Sequence, residues 1–138
     1  AHRARLLRDV RDAGPKGGRS WIVEWRERPG VLGWCGVFPL EQTGEIEIGY
    51  RYVSSAWGQG VATEAAWPVL TFGFAVMDLQ RIVAVTHPAN HASQRVLAKI
   101  GLRRCGNGFH YGHDLPFFAI DRPVTRPSHW PSTNTLPW

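Results

Sequence analysis

The chain is 138 residues long, 43% hydrophobic and 20% charged, enough for a single globular domain with an apolar core. It holds no run of the roughly 18 apolar residues that a membrane-spanning helix needs, and its charged opening, "AHRARLLRDVRDAG", is unlike the apolar stretch of a signal peptide, so a cytoplasmic protein is expected. The net charge of +5 suits an anionic partner but does not choose between nucleic acid, a membrane surface and a phosphorylated small molecule.

In chain order, Leu6, Leu7, Val10 and Ala13 recur at helical spacing, with Arg3, Arg5, Arg8 and Arg11 mostly on the other side. This predicts a helix over 2–13, ended by "GPKGG" (14–18). Segments 21–26 and 31–40 are rich in β-branched and aromatic residues and flank Pro29-Gly30, which reads as a hairpin. Ile46, Ile48, Tyr50 and Tyr52 then alternate with Glu45, Glu47, Gly49 and Arg51, the period of a third strand over 45–53. Apolar positions from Val61 to about Leu79 predict a helix, with Pro68 expected to remove a hydrogen bond and kink it. "RIVAVT" (81–86) is continuously apolar, as in a strand buried on both faces, and completes a strand, helix, strand crossover between parallel neighbours.

A short helix follows, with Asn90 as its N-cap, Ala92, Val96, Leu97 and Ile100 in period, and Gly101 at the left-handed C-terminal cap. Residues 102–111 and 116–121 predict a closing pair of strands around "HYGHDLP". The tail, residues 123–138, is rich in Pro, Ser, Thr and Asn and is expected to be extended or disordered, with Trp130 and Trp138 able to pack on a homodimer partner or on nothing. Cys35 and Cys105 are expected to be free thiols, since a domain of this size does not need a disulfide framework.

One stretch asks for a ligand. "AWGQGVATEAAW" (56–67) puts Gly58, Gly60 and Ala62 between a strand and a helix, where small residues admit a close backbone approach and the helix start aims N–H groups and a positive dipole end at one point. That is a seat for a diphosphate. A Walker loop would need Gly-Lys-Ser/Thr, which is absent, and the Rossmann pattern is half met because Thr63 stands at its third glycine. Other chemistries find less support. His87 and His91 are interrupted by Pro88, and His110 and His113 fall in a turn, so no metal site is expected; no Gly-x-Ser-x-Gly elbow is present and Cys105 lacks a nucleophile's context.

Two motifs together resemble the GNAT superfamily of acyl-coenzyme A-dependent N-acetyltransferases, and within it the RimJ/RimL-like branch. The first, Trp57-Gly58-Gln59-Gly60-Val61-Ala62, is similar to the family's diphosphate loop, Gln/Arg-x-x-Gly-x-Gly/Ala, with Trp57 in the first place as in that branch. The second is Asn90, Ser93, Val96-Leu97, Lys99 and Gly101; "HYGHDLPFFAIDR" also looks like the branch. The resemblance covers residues 1–122 and implies a mixed α/β fold, a mostly antiparallel sheet whose central parallel crossover forms the acyl-coenzyme A cleft. The family's first strand and first helix have no counterpart ahead of Ala1, which implies an N-terminally incomplete domain.

What the resemblance implies for the site is specific. Acetyl-CoA would be the co-substrate and a primary amine the acceptor, a protein N-terminal α-amine being the case the branch leans toward, and the amine would attack directly in a ternary complex. The cofactor's arm would pair near Tyr52, Val53 and Ser54, and the loop from Trp57 through Gly58, Gln59, Gly60, Val61 and Ala62, with Thr63, would cradle the diphosphate. Asn90 would contact the cofactor arm and Ser93 would protonate the leaving thiolate, because the family's usual tyrosine position is Leu97 here; Tyr111 is a second candidate acid. For the base, Glu47 could line the acceptor cleft and work through water or could equally be a solvent-facing glutamate, while His87 has a suitable reference pKa but could simply bond backbone at the turn before Pro88. The alternative is a GNAT-like module that binds coenzyme A without turnover; a basic nucleic-acid-binding domain is disfavoured because charge alone speaks for it.

Overall fold

The strands that the alternating patterns predict assemble edge to edge in a computed structural model that describes residues 4–10, 18–125 and 128. The sheet has seven strands: β1 (Ala4–Val10), β2 (Arg19–Trp25), β3 (Val31–Pro39), β4 (Ile46–Tyr52), β5 (Arg81–Val85), β6 (Arg103–His110) and β7 (His113–Asp121). Their spatial order is β1-β2-β3-β4-β5-β7-β6. Every ladder is antiparallel except the central one, where β4 and β5 run parallel. Helix α1 (Val61–Ala75) is the crossover between them, and α2 (His91–Lys99) links β5 to the closing hairpin. The expected mixed α/β fold with a parallel strand, helix, strand core is therefore the fold observed.

Residues 4–10 correct the sequence reading. They form strand β1, paired antiparallel with β2 from Ala4↔Trp25 to Val10↔Ser20, and not a helix. The open edge of β2 offers a ladder that a locally ambiguous segment accepts, so pairing overrides the 3.6-residue period. The rest of the predicted 2–13 helix and "GPKGG" up to residue 17 lie outside the described residues, as do Trp130, Trp138 and most of the tail.

Pro68 lies well inside α1, and the helix continues through it. Its ring nitrogen donates no bond, but the surrounding residues Val61, Ala65, Ala66, Val69, Leu70, Phe72 and Phe74 are all buried, so packing holds the segment where propensity would break it. The helix stops at Ala75, short of the expected Leu79, where the chain turns through Asp78 at φ +57° and the Leu79 amide bonds the Gly73 carbonyl at 3.0 Å.

One apolar layer fills the space between the sheet and the helices, with Trp21, Val23, Ile48, Ile82 and Ala84 meeting α1, and Leu97 and Ile100 of the α2 segment. A second, smaller one on the other face joins Leu40, Val83 and Ala119, with Val85 and Phe117 against it. Val83 and Ile82 thus point to opposite faces and are both buried, as the continuously apolar "RIVAVT" predicts. Between β2 and β3 the fit is close: a Cβ on Gly36 would stand 2.3 Å from the Arg19 carbonyl oxygen and 2.7 Å from Ser20 Cβ. Gly36→Ala is expected to destabilise the protein by about 2 kcal/mol, a fall in Tm of roughly 8 °C. An unchanged melting curve would mean that these strands do not approach so closely in solution.

Candidate active site

Strands β4 and β5 pair at Glu47↔Val83, and among the described residues no pair follows farther toward Tyr52 and Val85. Two parallel strands that part in this way leave a wedge between them with unpaired backbone along its sides. The wedge opens into a cleft of about 920 Å³, walled by Tyr50 and Tyr52 of β4, by the loop and first turn of α1, and by Asn90, Ser93 and Val96 at α2.

The loop reaches α1 through one 3-10 turn, Ser54–Ala56, and two glycines with left-handed backbone, Gly58 at φ +74° and Gly60 at φ +80°. Gly60 is the N-cap of α1 and no side chain caps that helix start. The amides of Val61, Ala62 and Thr63 therefore begin the helix without intrahelical acceptors, at its positive dipole end, and all three residues line the cleft. A Cβ on either Gly58 or Gly60 would meet no protein atom within 4 Å, so the glycines leave open space facing outward where a ligand can come close. Arg51, Arg95 and Lys99 add positive charge around the same cleft. This is the chemistry a diphosphate needs.

At α2, Asn90 acts as the N-cap: its Oδ1 accepts from the Ser93 amide at 3.1 Å. The far end closes as expected, with Gly101 at φ +99° and the Leu102 amide bonding the Leu97 carbonyl at 2.9 Å. Because the cap uses the backbone of Ser93, the serine hydroxyl is free to do something else, and it lies 2.9 Å from the Tyr50 hydroxyl. Burial pushes the Tyr50 phenol up to about 12, against the opposing pull of the Ser93 bond, so at neutral pH it is a protonated partner for the serine. Sequence reasoning missed Tyr50. The alternation puts it on the face of β4 opposite Glu47, but nothing local ties it to a serine 43 residues away.

The predicted site residues thus divide. Tyr52, Trp57, Gly58, Gly60, Val61, Ala62, Thr63, Asn90 and Ser93 line the one cleft, whereas Val53, Ser54, Gln59 and Glu47 do not. The Val53 amide, expected near the cofactor arm, donates to the Leu32 carbonyl of β3 at 2.8 Å. The Ser54 carbonyl accepts the Trp57 amide at 3.1 Å, and Gln59 Nε2 donates to the Ser55 carbonyl at 2.8 Å. These three residues shape the loop from within. Trp57 also helps to hold it, through an indole N–H donated to the Tyr52 carbonyl at 3.0 Å.

Glu47 stands at the wedge's apex on the face opposite α1, almost fully buried, and Tyr111 donates its hydroxyl to Glu47 Oε2. Tyr111, read as a second acid for the thiolate, is therefore engaged on the far face and does not line the cleft. His87 does line it, but its Nδ1 accepts the Ala89 amide at 3.0 Å, which is the backbone role weighed against a base. Leu97, in the family's tyrosine position, is a core residue at 1% exposure. Cys35 and Cys105 are both free thiols, and burial pushes Cys35 up to about 12, which leaves it inert.

The comparisons with known proteins agree with this geometry. The acetyltransferase (GNAT) domain profile matches residues 1–103. A Bacillus subtilis (strain 168) protein named as an uncharacterized N-acetyltransferase, YoaA, is 36% identical over 115 residues, covering 81% of this chain and 65% of its own. The crystal structure of a GNAT-family acetyltransferase from Bacillus anthracis superposes with a TM-score of 0.65 at 30% identity, over 75% of this chain and 66% of that one. Mycobacterium smegmatis RimJ, solved in complex with CoA-disulfide, gives 0.64 at 27% identity over 75% of this chain and 53% of its own. The chain spans about half to two thirds of the length of curated relatives it matches, 49% of one and 65% of another. With the profile matching most of its length and the glycine loop and asparagine-capped helix meeting at one cleft, the chain belongs to the GNAT acetyltransferase family.

Proposed function

We propose that this domain is the catalytic part of an acetyl-CoA-dependent N-acetyltransferase of the RimJ/RimL-like branch, acting on a primary amine and in particular on an N-terminal α-amine. The observation that carries it is the meeting of the uncapped start of α1 and the Tyr50–Ser93 hydroxyl pair on one cleft, at the point where β4 leaves β5. The likeness to RimJ and the tryptophan at position 57 support the finer assignment. Residues 1–122 form the acetyltransferase unit in this reading.

Bound acetyl-CoA would supply an acetyl group already activated as a thioester. The amides of Val61, Ala62 and Thr63 and the open space at Gly58 and Gly60 fit its diphosphate, with Arg51, Arg95 and Lys99 balancing the charge. Ser93, backed by Tyr50, would donate a proton to the departing sulfur on the helix side of the sheet, and the Tyr50–Ser93 hydroxyl contact supports that role. Glu47 faces the opposite side at the apex, the side left to an incoming amine, and would take the amine's proton. An α-amine of pKa about 8 needs little help from such a base, whereas a lysine near 10.4 needs more. Leu97 removes the usual acid, which favours the second reading, a module that binds coenzyme A without turnover.

Calorimetric titration with acetyl-CoA, followed by thiol release with a hexapeptide bearing a free N-terminal alanine, separates the readings. Binding with Kd of about 10 μM and thiol release dependent on the peptide are expected. Binding without release from any amine would establish the non-catalytic module, and no binding would remove both.

A further inference from the structure

Three residues other than glycine have left-handed backbone among those described: Glu41 at φ +48°, Asp78 at φ +57° and Tyr111 at φ +53°. Such a conformation is unfavourable for an L side chain and persists where surrounding contacts over-determine it. Two of the three bond to each other. The Tyr111 amide donates to Glu41 Oε1 at 3.1 Å, and the same oxygen lies 3.0 Å from His110 Nδ1, so the β3–β4 turn grips the β6–β7 turn. Phe117 stacks on the His110 ring at 5.7 Å and fixes it from the other side. From this corner the Tyr111 hydroxyl reaches Glu47, at the last paired position before β4 and β5 separate.

We propose that Glu41, His110 and Tyr111 form a clamp that positions the Glu47 carboxylate at the apex of the wedge, with Tyr111 as the positioning residue that touches it. This rests on the reading of Glu47 as the base. A glutamate has several rotatable torsions, and a base must keep its oxygen within hydrogen-bond reach of the proton it takes. The clamp supplies the fixed point from outside β4. The strained turn at Tyr111 sets the direction of its ring, and Glu41, itself strained, sets the turn.

Tyr111 reaches Glu47 from the β6–β7 turn, Glu41 pairs with His110 behind it, and on the β4 side Glu45 is paired with Arg81 of β5 at 3.7 Å. Burial, then the Glu47 carboxylate as acceptor and charge, and then Glu41, hold the Tyr111 phenol above the ordinary tyrosine range. It therefore remains a donor at any working pH.

The test is a double-mutant cycle on the 138-residue chain, with acetyl-CoA and the alanine-terminated hexapeptide as probes. Tyr111→Phe is expected to lower kcat about 10-fold, with acetyl-CoA affinity and Tm close to wild type, since a misplaced base costs rate and not cofactor binding. In a Glu47→Gln background the same change should alter kcat less than about twofold, because the group it positions is already gone. Glu41→Ala, which releases the turn, should repeat the kcat loss. If Tyr111→Phe costs the same with and without Glu47, or lowers only Tm, or leaves kcat at wild type while Glu47→Gln is impaired, the clamp is overturned and the base reading stands. A wild-type kcat in Glu47→Gln, or no turnover of the peptide by the unaltered chain, overturns the base reading and the clamp with it.

Discussion

Gly60→Val is expected to weaken acetyl-CoA binding by about 100-fold or more, measured by calorimetry. Two effects add. At φ +80° and ψ 5° a β-branched residue is strained by about 1–3 kcal/mol, which favours a rearranged loop. The new side chain also enters the space in front of the Val61, Ala62 and Thr63 amides, where no protein atom lies within 4 Å of the missing Cβ and where a diphosphate would have to sit. Gly44 is the matched control, with φ +83° and equally open surroundings but a place in the β3–β4 turn away from the cleft. Gly44→Val should lower Tm and leave the Kd unchanged. Equal effects on Kd at both positions would show that strain and not ligand approach is being measured, and unaltered binding in Gly60→Val would remove the loop from the cofactor site.

Ser93→Ala is expected to lower kcat about 100-fold, within the range typical of a general acid, while acetyl-CoA Kd stays within about twofold. The structural role of this position should survive, because Asn90 caps α2 through the Ser93 backbone amide and not through its hydroxyl. That separates two roles which the sequence leaves entangled. Ser93→Thr, which restores a hydroxyl, should recover part of the rate. Tyr50→Phe should cost less than Ser93→Ala, about 10-fold, because it removes the serine's partner at 2.9 Å and leaves the serine in the cleft. A normal kcat in Ser93→Ala would place the acid elsewhere. A joint loss of kcat and Tm would mean that the hydroxyl pair is part of the packing.

The asparagine-capped helix, the glycine loop and the alternating strand of residues 46–52 were legible because each is a short-range device. A cap needs its acceptor three residues from the donor it serves, a left-handed turn favours glycine at that residue, and the pleat repeats every second position. The helix predicted over 2–13 failed for the complementary reason. Residues 4–10 are read locally as amphipathic, yet their backbone is claimed by the edge of β2, and no local pattern reports which edge is open. Pro68 is the same lesson in the opposite sense, since a helix buried nearly all round tolerates a breaker that an isolated helix would not.

The site divides along the same line. The sequence by itself determined that a glycine turn and a capped helix stand at the two ends of a crossover, because those features are written in consecutive residues. Only the tertiary structure decided that Tyr50 meets Ser93, that Glu47 turns to the far face under Tyr111, and that Val53, Ser54 and Gln59 serve the loop itself. Those contacts depend on which strands are neighbours and on where β4 parts from β5, and that register is fixed by the packing of the whole sheet against α1.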